Sequence, residues 1–444
     1  MTELQPAADT RVAEDETVTF ASELIRIDTT NTGNTDTSAG ERVAAEYVAE
    51  KLAEVGYETT YVESGAPGRG NVIARLPGAD PSRGALLVHG HLDVVPADAS
   101  EWSVHPFSGA IQDDYLWGRG AVDMKDMVAM ALATARRFKR DGVIPPRDLI
   151  FAFFADEEAG SFLGSHWLVD NRPELFEGAT EAISEVGGFS VTLKDNVRAY
   201  VVETAEKGIA WMRLRVRGTA GHGSMIHRDN AVTKLTAAVA RLGQHRFPLV
   251  LHDSVREFLD GVSELTGLDF PDDDLEGSIA KLGGLARVVG ATIRDTANPT
   301  MLDAGYKANV IPSVAEATVD CRVLPGRLPA FERELDEILG PDVEREWIAN
   351  QPSVETTFDG ALVDKMSSAL FAEDPGSTML PYMLSGGTDA KALRKLGIRC
   401  FGFAPLKLPA DLDFSALFHG VDERVPIDGL RFGTRVLDRF LRDC

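Results

Sequence analysis

The chain is poor in cysteine, in positive charge and in long apolar stretches. Its 444 residues hold three cysteines, Cys321, Cys400 and Cys444, odd in number and scattered. A disulfide framework and a thiolate metal site are therefore excluded, and the cysteines read as reduced thiols of a cytoplasmic protein. Lys and Arg number 45 against 69 Asp and Glu, a formal net charge of -24. Such a surface repels phosphate backbones, so no nucleic-acid partner is expected. No window of about 18 uninterrupted apolar residues occurs, and no membrane span is expected. The opening MTELQPAADTRVAEDE lacks the cationic-then-apolar order of a secretory leader. Internal repeats, low-complexity tracts and a GxGxxG after the first strand are also missing, which sets aside a nucleotide-binding sheet.

What is present is ordinary globular material, 44% hydrophobic and 26% charged. Residues 14–27 and 39–55 carry helical periodicity, and Met124–Arg140 reads as a strong helix. Short apolar runs at Asn71–Leu76, Ala85–Val88, Leu149–Ala155 and Glu181–Ser184 read as strands. Their alternation with helices predicts an α/β fold with a mostly parallel sheet. The character changes after Glu206. IAWMRLRVRG (209–218) alternates as an edge or half-exposed strand should, and a helix Asn230–Leu242 follows. Ala286–Ala297, Ala315–Leu324, a helix Pro329–Leu339 and Val343–Ala349 complete a β-α-β-β-α-β order, the split βαβ unit. The acidic stretch Asp253–Glu276 reads as an insertion lengthening this unit. The expected organisation is a discontinuous catalytic domain (1–207 and 353–444) interrupted by a lid (208–352).

Five places end an apolar run or loop with an acid or an imidazole. LLVHGHLDVVP carries His91 and Asp93, GRGAVDMK carries Asp123, FAFFADEEAGS carries Glu157 and Glu158, AISEVGG carries Glu185, and FHGVDE carries His419. Open parallel sheets bind ligands beyond the carboxyl ends of their strands. Each motif alone reads equally as a satisfied polar cluster or a solvated turn. Gathered together, two imidazoles and three carboxylates would suit Zn²⁺, with Mn²⁺ or Co²⁺ as substitutes. Five ligands exceed one tetrahedral zinc and fit two metals sharing a carboxylate, roughly 3.5–4 Å apart.

These motifs in this order, with GTAGHGS and NVIP between them, resemble family twenty of the metallopeptidases. That is the family of aminoacylase, acetylornithine deacetylase, succinyl-diaminopimelate desuccinylase and the glutamate-releasing carboxypeptidases. The resemblance spans nearly the whole chain and implies a ferredoxin-like dimerisation lid. It implies that His91 and Glu185 hold one zinc, Glu158 and His419 the second, and that Asp123 bridges them. It implies that Asp93 accepts from His91 and sets its tautomer, and that Glu157 is the general base. Asp126 stands where Gly is common in the family and should alter only the first helical turn. His89, where a small residue is common, reads as a packing group.

The resemblance also implies that His222, in GTAGHGS, stabilises the oxyanion, against the plain reading of a surface turn. Asn309 and Arg322 would hold a substrate carboxylate, although Arg322 could equally pair with Asp320. SGGTDAKAL puts Gly387 and Thr388 before a helix N-terminus, either a pocket loop or an ordinary cap. The implied protein is a cytoplasmic di-zinc amidohydrolase. It would cleave an amide beside a free carboxylate, in an N-acyl amino acid or at a C-terminal peptide bond. A desuccinylase or acetylornithine deacetylase is the alternative within the class, and an inactive metal-binding dimerisation scaffold the alternative outside it. A homodimer supplying His222 in trans is expected, with a monomer open because of the 253–276 stretch.

Overall fold

The structure is a computed structural model and describes residues 10–444. The first nine residues of the stretch read for a leader lie outside it. At its centre, strands Leu149–Phe154, Ala85–His91, Ala179–Ser184 and Arg399–Gly402 lie side by side and parallel. Antiparallel neighbours extend the sheet, Gly70–Leu76 on one side and Arg198–Glu206 on the other. Both faces are covered, so LIFAFF is wholly buried and reads as a continuous apolar run rather than an alternating one. On one face, helix Lys125–Arg140 packs against helices Arg11–Arg26 and Ile427–Asp443. The opposite face packs on helix Ser165–Asn171 and the short helix Ala390–Leu393.

A second sheet has four antiparallel strands in the order Thr296–Ala304, Val314–Val323, Gly208–Arg217, Val343–Gln351. Helices Ala231–Gln244 and Leu328–Leu339 cover one face, and the first is capped by the Asn230 side chain on the amides of Val232 and Thr233. This is the expected β-α-β-β-α-β order, with two departures. Strand Gly208–Arg217 is interior, not an edge. Its apolar-basic alternation comes from one open face, and the same pattern would mark an edge. Ala286–Ala297 is not a strand: helix Leu285–Gly290 occupies it, and the strand begins at Thr296.

The acidic insertion does not extend the small sheet. Helix Asp253–Thr266 and the turns up to Ile293 pack on Val201, Leu380 and Tyr382 of the large one. Val255, Phe258, Leu259 and Val262 all fall on the buried face of that helix, with the acids turned out. Gly261 permits the approach, since a Cβ there would lie 2.4 Å from Leu380 Cδ2. Among the described residues no helix is long and apolar enough to cross a membrane.

Candidate metal centre

Three of the four central strands deliver polar groups to one end. His91 closes strand Ala85–His91, Glu157 and Glu158 follow Leu149–Phe154, and Glu185 follows Ala179–Ser184. Asp123 comes from the loop before helix Lys125–Arg140, and His419 from the loop before strand Arg424–Pro426. The turns are tight: Asp156, Val186 and His419 have φ of 68°, 49° and 58°. A β-branched residue such as Val186 is costly there, and such strain collects at functional sites.

Asp123 stands between the two imidazoles. Its Oδ1 lies 3.1 Å from His91 Nε2, and its Oδ2 lies 3.2 Å from His419 Nε2. Glu185 Oε2 is 3.5 Å from His91 Nε2, and Glu158 Oε2 is 3.1 Å from His419 Nε2. Glu157 Oε2 is farther from His91, at 3.9 Å. Ligand atoms of His91, Glu157 and Glu185 lie within 4.8 Å of one another, as do those of His91, Asp123 and Glu158.

His91 Nδ1 lies 3.0 Å from the Asp93 carbonyl, which can only accept, so that nitrogen carries the proton. The Nε2 lone pair then faces carboxylate oxygens and needs a positive charge between. The Asp93 carboxylate is 3.5 Å from the ring. It has a second task beside that ring. It accepts from the amides of Glu157 and Glu158, both at 3.1 Å, and from Asn31 Nδ2 at 2.8 Å, so it aims the two glutamates.

Electrostatics follow from burial. Desolvation and the Glu185 charge hold Glu157 well above the usual carboxylate range, and desolvation lifts Glu185 to about 8. Hydrogen bonds that His419 donates to the Asp123 and Glu158 carboxylates push it up to about 10. For His91, burial opposes the charge, but Glu185 and Asp123 overcome it and raise the value. Asp123, despite its burial, is held well below the usual range by the two histidines. So many acids in a buried site call for cations. The residues fit them. The donors are nitrogen and oxygen, Glu158 Oε1 is buried without a hydrogen-bond partner among the described residues, and the 3.1–3.5 Å separations suit a tetrahedron of ligands at zinc bond lengths, whose edge is roughly 3.3 Å.

Asp123, Glu157, Glu158, Glu185 and His419 line one cavity of 460 Å³, together with Arg322, Gly387 and Thr388. His91 and Asp93 stand behind them, wholly buried. His222 and Asn309 are elsewhere. They share a two-stranded ribbon, His222 opposite Val310, with Gly223 N donating to Asn309 O, and both are exposed. Arg322 uses its Nε and Nη2 edge on Asp320, at 2.7 and 3.1 Å, while still facing the cavity. Thr388 is not an anion-binding helix start. The helix after it spans one turn, and the Thr388 amide and hydroxyl both donate to buried Glu206, itself paired with Lys391 at 2.9 Å.

Two neighbours depart from expectation. Asp126 does more than alter a helical turn: it is buried, and desolvation lifts it to about 8. Glu423 was not singled out from FHGVDE. Its carboxylate is wholly buried and accepts from the amides of Gly120, Val122 and Asp123 and from Arg119, cradling the loop that presents Asp123. Its place four residues after His419, within FHGVDE, is the signal the sequence offers. His89 is a packed ring against Phe154, its charged form disfavoured by burial, with a value pushed down to about 3.

The parallel sheet with acids and imidazoles at its carboxyl end defines a metal-dependent hydrolase. Residues 87–443 match the family described as Peptidase family M20/M25/M40, and the chain belongs to that family. It is 30% identical over 380 residues to probable carboxypeptidase S-like 2 of Dictyostelium discoideum, covering 80% of this chain and 71% of that one. It is 28% identical over 426 residues to aminoacylase-1 of Sus scrofa, covering 94% and 93%. The fold is similar to that of the M20 family metallo-carboxypeptidase Sso-CP2 from Sulfolobus solfataricus, with a TM-score of 0.71 at 20% identity over 96% of this chain and 99% of that chain.

Proposed function

We propose that the protein hydrolyses an amide bond beside a free carboxylate, in an N-acyl amino acid or at a C-terminal peptide bond, with two zinc ions per chain. The observation that carries this is Asp123, whose two oxygens face the Nε2 atoms of His91 and His419 separately. His91, Asp123 and Glu185 would hold one cation, and Asp123, Glu158 and His419 the other. Bound cations would polarise the scissile carbonyl and make water nucleophilic at neutral pH.

The chain's own groups supply the rest. Glu157 is the carboxylate set back from His91 Nε2 at 3.9 Å. Set back from the imidazoles beside a proposed ligand, it is placed as a base that takes a proton from water and delivers it to the leaving nitrogen. Asp93 holds the Glu157 and Glu158 amides and so keeps base and ligand on separate headings. Arg322, with one edge on Asp320, has its Nη1 edge left for a substrate carboxylate. Gly387 and Thr388 would shape the wall beside it.

His222 and Asn309 would complete the site from a second copy, making a cytoplasmic homodimer. The exposed apolar side chains around their ribbon, Met225, Ile226 and Tyr306, support that reading. The small sheet and its two helices would form the lid-like domain of the division 1–207, 208–352, 353–444, with the segment 253–293 inside those bounds packed instead on the large sheet.

The test is a chelated and zinc-reloaded protein offered N-acetyl amino acids, C-terminal peptides and their carboxamides. Chelation is expected to abolish turnover, zinc to restore it, and the carboxamides to be poor. No turnover of any acid substrate, or equal turnover of acids and carboxamides, would reject the reading.

A further inference from the structure

Away from the acids, the cavity changes character. Phe189, Phe258, Leu285, Val288, Val289 and Tyr382 line it. Phe258 lies on helix Asp253–Thr266, and Leu285, Val288 and Val289 lie on helix Leu285–Gly290. The inserted segment thus supplies four of these six side chains, with others such as Trp211, Leu384 and Phe418 coming from elsewhere in the chain, although it is distant in sequence from every proposed metal ligand. It is fastened at several points. Lys207, buried at the junction of the two sheets, donates through Nζ to the carbonyls of Ala291 and Arg294, at 3.0 and 2.8 Å. Arg287 reaches Asp413 at 3.0 Å and Ser415 Oγ at 3.2 Å, across to the loop that carries His419. That exposed ion pair adds little stability; the helix is held chiefly by the packing of Val289 and its neighbours.

The charges of the lining are informative. Among the described residues its acids are Asp123, Glu157, Glu158 and Glu185, all in the proposed metal cluster, and Arg322 is its one Lys or Arg. A free ammonium on the substrate would find no carboxylate outside the cluster. A second substrate carboxylate would find no second guanidinium. Unpaired charge is costly in such a setting.

We propose that the segment 253–293 is a selectivity element, and that the group it accepts is an uncharged, bulky apolar acyl chain on the nitrogen of an amino acid. This rests on the amidohydrolase reading and narrows it. Short acyl groups would leave the wall uncovered. A longer chain would bury methylenes against it, and each is worth about fourfold in kcat/KM until the cavity is full.

The experiment uses zinc-loaded protein and one amino acid carrying acetyl, butyryl, hexanoyl, octanoyl or decanoyl groups. A dipeptide of matching shape with a free amine and the succinyl derivative are run beside them. In the wild type kcat/KM is expected to climb with chain length, and the dipeptide and succinyl compounds to fall at least tenfold below their uncharged analogues. In Leu285→Ser/Val288→Ser the octanoyl-to-acetyl ratio should drop at least tenfold. Val288→Thr, which keeps the volume, should lower it in the same direction. Calorimetric binding of the same series to zinc-loaded Glu157→Gln protein reads the pocket without turnover. A flat series in the wild type, or an unchanged ratio in the variants, overturns the proposal. A charged analogue turned over as well as its uncharged counterpart does the same. If nothing is hydrolysed but binding still climbs with chain length, the amidohydrolase reading fails and the apolar pocket stands.

Discussion

The two ends of the proposed site are built in opposite ways. At the large sheet, the two glutamates and Asp123 of the proposed metal site lean on buried support: Asp93 and, behind it, Asn31 for the glutamates, and Glu423 for Asp123. On the ribbon, His222 and Asn309 are exposed, and the His222 ring meets Ser224 Oγ at 2.8 Å across a turn. The difference teaches which part is preorganised. Acids whose ligand atoms gather within 4.8 Å of one another must be held by surrounding structure, because their mutual repulsion would otherwise scatter them. A histidine that meets the reaction from outside needs no such frame until it docks.

The comparison breaks most visibly at Glu157. Glu157→Gln should lower kcat by about 10²–10⁴ while bound metal stays, whereas Glu158→Gln should lose metal. Elemental analysis beside rate measurement separates the two, and like behaviour of both variants would merge base with ligand. Next is the ribbon. His222→Ala should cost about 10²–10³ in kcat, the usual price of an oxyanion donor. Mixing it with Glu157→Gln under subunit exchange should return about a quarter of wild-type activity if His222 acts in trans. Exchange shown by labelled subunits with no recovery would place His222 within its own chain or outside the reaction.

Smaller effects sharpen the same contrast. Arg322→Lys should cost roughly tenfold in kcat/KM on acid substrates, since a charge-assisted bond is lost or weakened. Carboxamides should scarcely notice, and an equal loss on both would make Arg322 a structural partner of Asp320. Asp126→Asn should act on stability. Burial lifts this acid from the ordinary aspartate range to about 8, so the folded chain keeps a proton that the unfolded chain releases. Stability of metal-free protein therefore falls as pH rises from about 4 to about 8, and the variant should be spared, by an amount on the order of a few kcal/mol at the upper end. Denaturant melts at pH 4.5 and 8 measure it, and an equal gain at both pH values would mean that Asp126 is not titrating there.

Most of the metal-facing set was legible in the chain itself. HLDVVP, GRGAVDMK, ADEEAGS, SEVGG and FHGVDE each pair an apolar run or glycine loop with a group that burial alone would not tolerate, and their order suited a parallel sheet. The small sheet's strand and helix order was legible for the same reason, through its periods. Strand position was not, because Gly208–Arg217 shows one open face whether it lies inside the sheet or at its edge. The insertion was misplaced because acids on the outer face of helix Asp253–Thr266 dominated its composition, while Phe258 and Leu259 faced a sheet far away in sequence. Local pattern determines which residues want burial and which want charge near them. Only the tertiary structure decides who meets whom: that Asp93 aims two glutamates, that Glu423 holds Asp123, that Arg322 already has a partner, and that the insertion walls the cavity. Those pairings depend on distances between segments brought together by packing, and spacing along the chain carries no record of them.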